Sequence, residues 1–441
     1  MSLDKLNTIR NDIQKLVKEY SELKYQKKSF IPGETPIPPS GKLIDFDEIS
    51  LMIDSCLDGW LTSGQFNTKF EKLLSQFIGT KNLITVNSGS SANLVAFSTL
   101  TSKKLGNRAI KAGDEVLSVA AGFPTTVNPI IQFGAIPVFI DIDNNTHNID
   151  TNNIESAITA NTKAIMIAHS LGNPFNLDEV TRICKKYNLW LIEDCCDALG
   201  SLYKGKMVGT YGDIATISFY PAHHITMGEG GAVFTNNNKL IEIARSFRDW
   251  GRDCYCDAGK DNTCGKRFCW KLGQLPFGYD HKYIYSHLGY NLKITDMQAA
   301  CGLGQLKKLS NFIEIRKENF NYIYKQLEPC EEKIQLPVAT INSEPSWFGF
   351  PITLKKSCGI KRIDLLNYLD QNKIGTRLLF AGNITKQPSM QDVNYKINGD
   401  LTNTDYVMEN TFWIGLQPSL TKEMLNYVCE KIKLYLGYAF N

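Results

Sequence analysis

The sequence lacks a surplus of either charge. Its 441 residues carry 48 Lys and Arg against 45 Asp and Glu, a formal balance of +3. A dedicated nucleic-acid binder carries a strong basic excess, so no nucleic-acid partner is expected. The low apolar content that keeps a chain disordered is also missing. Hydrophobic residues make up 43% and charged residues 21%, which predicts a large core spread over two or three domains. There is no apolar leader of signal-peptide type, because MSLDKLNTIRNDIQKL is charged along its length. Nor is there an uninterrupted membrane span. One uncharged stretch, Leu117 to Ile140, holds Pro124, Pro129 and Pro137 with Thr125, Thr126, Asn128 and Gln132, whereas a span wants about 20 predominantly apolar residues. It reads as strand, turn, helix and strand. With no targeting segment the expected location is the cytoplasm, where the 12 cysteines do not build a disulfide framework.

What is present has a clear rhythm. Leu6, Ile9, Ile13, Leu16 and Tyr20 recur every three or four residues and predict a helix over 4–24. The four prolines of FIPGETPIPPSGK then forbid a regular helix, so residues 1–45 read as a helix and an arm laid over another surface. From about Lys81 to Asn237, apolar runs (LITV, DEVLSVA, AIPVFIDID, TKAIMIAHS, LWLIEDCC, GDIATISFY, GGAVFTNN) alternate with helical patterns. That predicts an α/β fold with a mainly parallel sheet covered on both faces. Ligands of such sheets gather beyond the carboxyl ends of the strands. Residues 250–285 break the rhythm and read as an irregular Cys-rich insertion within a large domain over 46–310. A long helix is expected from Thr295 to Phe320, and 311–441 reads as a smaller α+β unit.

Three segments carry chemistry. NSGSSANL, residues 87–94, follows the LITV strand. Gly89 and Ser90 there suit either a phosphate cradle at a helix N-terminus or a plain turn. LWLIEDCC ends in Glu193 and Asp194. An acid at a strand end can pair with the protonated ring nitrogen of a pyridoxal cofactor, or can be a solvated loop acid. The third is ISFYPAHHITMGEGGAVFT. Its SFxPx…GEGG frame resembles the cofactor segment of the nucleotide-sugar aminotransferase family (DegT/DnrJ/EryC1/StrS). The resemblance implies the fold-type-I, aspartate aminotransferase-like architecture, with a large mainly parallel-sheet domain and a smaller C-terminal α+β domain. The family's Schiff-base lysine falls on His223, and no lysine lies between Met207 and Lys239. Imidazole cannot hold pyridoxal phosphate as a stable Schiff base, so the cofactor is expected as noncovalent pyridoxamine 5'-phosphate. His223 then remains as a proton-transfer base. His224 reads as a structural neighbour.

Cysteine use separates two kinds of His-bearing relative. Cys56, Cys184, Cys301, Cys330, Cys358 and Cys429 are scattered and read as small apolar fillers. Cys254, Cys256, Cys264 and Cys269 crowd into 16 positions. An iron–sulfur cluster wants four thiolates, zinc sites favour C-x2–4-C pairs, and free thiols are the third possibility. With Cys196 the pattern C-x57-C-x-C-x7-C resembles the CDP-4-keto-6-deoxyglucose-3-dehydrase subgroup. The resemblance implies a [2Fe-2S] cluster on Cys196, Cys254, Cys256 and Cys264, anchored near the cofactor ring because Cys196 lies two residues after Asp194. Cys195 and Cys269 read as packing residues. IPPSGK, DGWLTSG and RLLFAGNITKQP resemble the same subgroup. LGYNLKITDMQAA implies that Asn291 reaches the cofactor phosphate of the other subunit in a homodimer. Phe123 matches a ring-stacking aromatic and Ser218 a phosphate-contacting serine. Asp197 departs from the Gln or His usual in aminotransferases. The implied activity is dehydration at carbon 3 of a CDP-4-keto-6-deoxyhexose. An NADH-dependent iron–sulfur flavoprotein reductase then delivers electrons to yield a 3,6-dideoxysugar for a surface polysaccharide.

Overall fold

All seven apolar runs form strands in the computed structural model, which describes residues 3–26, 29–256 and 259–439. With a short eighth strand they build one sheet. Its spatial order is Asn82–Val86, Gly231–Thr235, Ile214–Ser218, Trp190–Asp194, Thr162–Ala168, Glu115–Val119, Ile136–Ile140 and Lys396–Ile397. Only Gly231–Thr235 runs against its neighbours; the other pairings are parallel. Alternate side chains along each strand feed two cores, as a pleat requires. Ile165 and Ile167 join Phe70, Leu74 and Leu303 on one face. Ala164 and Met166 join Val95 and Phe97 on the other. Helices Gly89–Leu100, Pro124–Phe133 and Asn238–Arg248 cover the second face, and Gln65–Ile78, Leu177–Tyr187 and Asp296–Leu327 the first. The stretch from Leu117 to Ile140 is strand, turn, helix and strand as expected. Among the described residues no helix is long and apolar enough to cross a membrane.

The helix ends follow local chemistry. Thr295 and Gln298 close a capping box at the start of Asp296–Leu327, and Asp45 and Glu48 do the same for Phe46–Asp58. Beyond the long helix lies an antiparallel four-stranded sheet of Ile334–Gln335, Gly349–Leu354, Thr411–Gly415 and Arg377–Leu378. Its core includes Phe350, Phe412, Leu365 and Ile432. The chain then returns to the large sheet. Lys396–Ile397 pairs with Val138 and Phe139, while Ile384, Met390 and Leu401 pack on Ala120 and Phe139. Two residues leave no period, so this return is not legible in the pattern.

The N-terminal helix spans Leu3–Lys24. Its apolar row stays uncovered, with Leu6, Leu16 and Tyr20 all exposed. The helix is tied to Phe46–Asp58 instead by Arg10, which meets Asp54 and Asp58. The proline-rich arm lies over the small sheet, with Ile37 buried in its core and bridged to Ile374. Among the described residues of 250–285, regular structure is limited to the 3-10 turn His281–Tyr283 and a bridge between Arg252 and Tyr285.

Candidate active site

The carboxyl ends of the parallel strands open into a cavity of about 680 Å³. Gly89, Ser90, Phe123, Asp194, Ser218 and His223 all line it. Asn291 does not; it is exposed, bridged to Asp249 and bonded to Lys293. Phe123 is half exposed, and its ring meets Phe380 edge-on at 6.1 Å.

One wall is the turn after Asn82–Val86. Ser88 caps helix Gly89–Leu100, its Oγ accepting from the Ser91 N–H at 3.0 Å. The free N–H groups of Gly89 and Ser90 therefore sit where an anion is favoured. Gly89 is required by contact: a Cβ there would lie 2.4 Å from Cβ of Ser218. Gly89→Ala is expected to weaken phosphate-group binding roughly ten- to a hundredfold, the equivalent of an overpacking cost of about 1–3 kcal/mol. Titration with pyridoxamine phosphate checks it.

The two strand-end acids have different partners. Glu193 is fully buried and turns away from the cavity. Its oxygens accept from the backbone N–H of Gly209, Tyr211 and Gly212. They also take the Nε2–H of His169, whose Nδ1 is occupied by the Phe175 N–H. Glu193→Gln sets an amide NH2 against these donors and is expected to lose roughly 2–3 kcal/mol of stability, read by denaturant unfolding. Asp194 faces the cavity. Its Oδ2 accepts from Asn93 Nδ2 at 2.8 Å and Thr126 Oγ1 at 2.7 Å, and its Oδ1 from the Cys196 N–H at 3.1 Å. Asn93 is in turn fixed by Thr216 at 2.7 Å. Asn93 and Thr126 were missed in the sequence. Their signal is weak, because an Asn and a Thr on two helices become a pair only through the fold.

His223 stands opposite. Its Nδ1 lies 3.4 Å from Asp197 Oδ1, an electrostatic contact without a formed hydrogen bond. Its ring leans on Phe348 at 5.1 Å. Burial pushes the Asp197 carboxyl up, opposed by His223 and by Arg316. Arg316 is buried and held down to about 10 by desolvation against the pull of Asp197; its Nη1 donates to the Phe348 carbonyl at 3.0 Å. His224 is buried, bonded to Ser346 Oγ at 2.9 Å, and burial pushes it well below the usual histidine value. Among the described residues no lysine lines the cavity. Phe348, Trp413 and Arg377 reach it from the C-terminal part of the chain; Arg377 opens the RLLFAGNITKQP segment, and no motif marked the other two.

The cysteines divide. Cys254, Cys256 and His281 bring their ligand atoms within 4.8 Å of one another. Cys264 Sγ lies 3.6 Å from His281 Nε2. Burial pushes the Cys256 thiol up, but hydrogen bonds with Thr263, the Cys264 backbone and the Cys254 and Cys264 thiols outweigh it and hold it at about 7. Cys196 lies apart, on the cavity wall. Asp253, next to Cys254, pairs with Lys104 at 2.6 Å, beyond the far end of helix Gly89–Leu100. Among the described residues Cys196 is outside the group formed by Cys254, Cys256 and His281 and lines the cavity instead. Cys195 is buried as expected, whereas Cys269 is exposed rather than packed inside. Of the six scattered cysteines, Cys184, Cys301, Cys330 and Cys429 are buried, Cys56 is exposed and Cys358 half-buried.

A mainly parallel sheet with one antiparallel strand, a helix N-terminus facing a strand-end acid, and a smaller domain closing the cavity define a fold-type-I, pyridoxal-phosphate-type α/β enzyme architecture. The chain belongs to the DegT/DnrJ/EryC1/StrS aminotransferase family, whose profile matches residues 43–433. It is 61% identical over 434 residues to the lipopolysaccharide biosynthesis protein RfbH of Salmonella typhimurium, covering 98% of this chain and 99% of that one. It is 49% identical over 412 residues to dTDP-4-dehydro-2,6-dideoxy-D-glucose 3-dehydratase of Saccharopolyspora spinosa, covering 93% and 89%. Its fold is similar to that of the E. coli GDP-4-keto-6-deoxy-D-mannose-3-dehydratase with bound hydrated PLP, with a TM-score of 0.80, 29% identity, and coverage of 90% and 99%.

Proposed function

We propose that the chain is a pyridoxamine-phosphate-dependent 3-dehydratase acting on a nucleotide-linked 4-keto-6-deoxyhexose, with CDP as the nucleotide. The observation that carries this reading is His223 on the wall of a cavity that no lysine among the described residues lines. When bound, the cofactor supplies an amine for the carbon-4 ketone and a ring that takes up charge. The chain supplies the rest. The Gly89–Ser90 turn and Ser218 hold the phosphate, and Phe123 covers the ring. Asp194, fixed by Asn93 and Thr126, keeps a proton on the ring nitrogen. With the cofactor bound, His223 would take the proton from its methylene carbon and would return it to the carbon-3 hydroxyl, which would leave as water. Asp197 occupies the Nδ1 side of His223 and leaves Nε2 for that transfer.

The finer reading adds a homodimer in the cytoplasm, an NADH-dependent iron–sulfur flavoprotein reductase and a 3,6-dideoxysugar product. It also places a [2Fe-2S] cluster on Cys254, Cys256 and Cys264 with Cys196, which would supply one-electron transfer. The residues of one chain present three of those thiolates together with His281, and the fourth elsewhere. Because the 49% relative is named for a dTDP sugar, the substrate test offers CDP- and dTDP-linked ketosugars side by side. Purified protein is loaded with pyridoxamine phosphate and incubated with each in labelled water. Isotope exchange at the carbon-3 hydroxyl of the CDP sugar supports the reading. Exchange with the dTDP sugar alone overturns the nucleotide assignment. Amino-sugar formation, with an aldimine absorption band, overturns the dehydratase reading.

A further inference from the structure

Among the described residues that line the cavity, two buried side-chain atoms have no hydrogen-bond partner: His223 Nδ1 and Ser170 Oγ. His223 Nδ1 still faces Asp197 at 3.4 Å. Ser170 Oγ is unmet although the residue is only 8% exposed. Native interiors rarely leave such a group alone, and a missing ligand is one physical reason for it. The turn that carries the hydroxyl is held through its backbone. The Ser170 N–H donates to Asn148 Oδ1 at 3.1 Å. The Leu171 carbonyl accepts from the Phe348 N–H at 2.8 Å, and the Gly172 carbonyl from Ser201 Oγ at 2.7 Å. Leu171 and Gly172 take left-handed φ values of 50° and 86°, and a Cβ at Gly172 would lie 2.8 Å from the Asp197 carbonyl. A turn so strained and so tightly packed fixes the hydroxyl in place without using it, as a preorganised ligand contact requires.

The order of the strands decides which part of a bound cofactor that hydroxyl meets. Strand ends follow one another across the sheet: the Gly89–Ser90 turn after Asn82–Val86, Ser218 closing Ile214–Ser218, Asp194 closing Trp190–Asp194, and then Thr162–Ala168 with Ser170 just beyond it. Ala168 is in register with Asp194, and the His169 N–H donates to the Asp194 carbonyl at 3.1 Å. Ser170 therefore lies beside Asp194 on the flank away from Gly89, Ser90 and Ser218. In pyridoxamine phosphate the ring nitrogen and the aminomethyl carbon stand at opposite ends of the ring. The phosphate arm leaves from one side edge and the ring hydroxyl from the other. With the nitrogen at Asp194 and the phosphate at the Gly89–Ser90 turn, the hydroxyl edge is turned toward the Thr162–Ala168 side, where the free Oγ is.

We propose that Ser170 is a cofactor-binding residue whose O–H donates to the oxygen of the cofactor's ring hydroxyl. This rests on the pyridoxamine-phosphate reading above and adds the contact on the ring's remaining edge. Asp194, the Gly89–Ser90 turn and Ser170 then hold the ring at three points, so that its methylene carbon is presented to His223. Serine suits the place because a hydroxyl both donates and accepts. Where the ring oxygen carries charge, Ser170 donates to it; where that oxygen keeps its proton, the same Oγ accepts.

The test is a binding cycle on the full-length chain, read by equilibrium dialysis and independent of turnover. Native protein and Ser170→Ala are each titrated with pyridoxamine phosphate and with 3-deoxypyridoxamine 5'-phosphate, which lacks only the ring hydroxyl. Ser170→Ala is expected to bind pyridoxamine phosphate roughly three- to tenfold more weakly, the usual worth of one hydrogen bond, and to bind the deoxy analogue as the native protein does. The native preference for the hydroxylated cofactor should shrink by the same factor, which is the coupling that such a cycle isolates. Unfolding of the cofactor-free variant is expected at or above the native midpoint, because alanine removes an unmet buried hydroxyl. Native affinity of Ser170→Ala for pyridoxamine phosphate overturns the proposal. Equal losses for both ligands also overturn it, since the serine then acts on the shape of the cavity and not on the ring hydroxyl. Native protein that binds neither ligand sinks the cofactor reading itself, a result separate from the other two. If Ser170→Ala does not fold, Ser170→Cys, which keeps the size and only a weak donor, takes its place in the same cycle.

Discussion

Replacing His223 by asparagine is expected to cut dehydration by about 10²–10⁴-fold, the usual cost of removing a general base, while cofactor binding is retained. Asparagine keeps the size and the polar contact toward Asp197 but cannot accept the proton from carbon. The ring contact with Phe348 is lost, and its effect is on position rather than on phosphate binding, because the Gly89–Ser90 turn lies on another wall of the cavity. Single-turnover exchange of the carbon-3 hydroxyl, measured beside a pyridoxamine phosphate titration, separates the two effects. Asp197→Asn is expected to cost less than the His223 exchange, since it leaves the base in place and removes only its neighbour at 3.4 Å. Near-native exchange in His223→Asn would show that another group takes the proton. His223→Lys tests the same position from the other side: a lysine there can form an aldimine, so the spectrum should shift and amino transfer should rise.

Much of the sheet was legible because its strands are continuous apolar runs between turn signals, and a run needs no partner to be recognised. The sheet order was not, because order depends on which crossover each helix takes. The antiparallel Gly231–Thr235 strand illustrates this: its sequence, GAVFT, resembles its parallel neighbours. Gly231 packs against the Ser88 carbonyl, where a Cβ would lie 2.4 Å away, a close approach that only the assembled sheet reveals. The N-terminal helix shows the reverse limit. Periodicity places the helix correctly, yet its apolar row faces solvent; a period reports an amphipathic face and not what covers it.

The cavity was legible where a residue type is tied to a strand end or a helix start. Gly89, Ser90, Asp194 and Ser218 are of that kind, His223 was marked by the SFxPx…GEGG resemblance, and the structure brings them to one cavity with Phe123. The groups that position them were hidden. Asn93 sits one turn inside helix Gly89–Leu100, and Arg316 is buried on the long helix with its charge near Asp197. Neither has a local signature, because its partner comes from elsewhere in the chain. The cysteines show a third case. Spacing named four residues, but spacing along a chain does not tell that three of them lie near His281 while Cys196 lines the cavity.

Asp194→Asn is the second large effect expected. The carboxylate is buried, 4% exposed, and its orientation is set by two donors on Oδ2, Asn93 and Thr126. An amide of the same shape must keep its oxygen toward those donors, since its NH2 would oppose them. The NH2 then takes the Oδ1 position, where it opposes the Cys196 N–H and offers a donor where a protonated ring nitrogen needs an acceptor. Removing one partner of a buried, hydrogen-bonded charge pair costs about 2–5 kcal/mol, equivalent to roughly 30- to several thousand-fold. The loss should fall on turnover as well as on cofactor retention, because an unprotonated ring accepts less charge when His223 takes its proton. Rapid dialysis measures retention and single-turnover exchange measures the chemical step. A variant that holds the cofactor as tightly as the native protein and exchanges hydroxyl at the native rate would mean that the ring nitrogen is not met by Asp194. Retention lost with the exchange rate intact at saturating cofactor would confine Asp194 to binding.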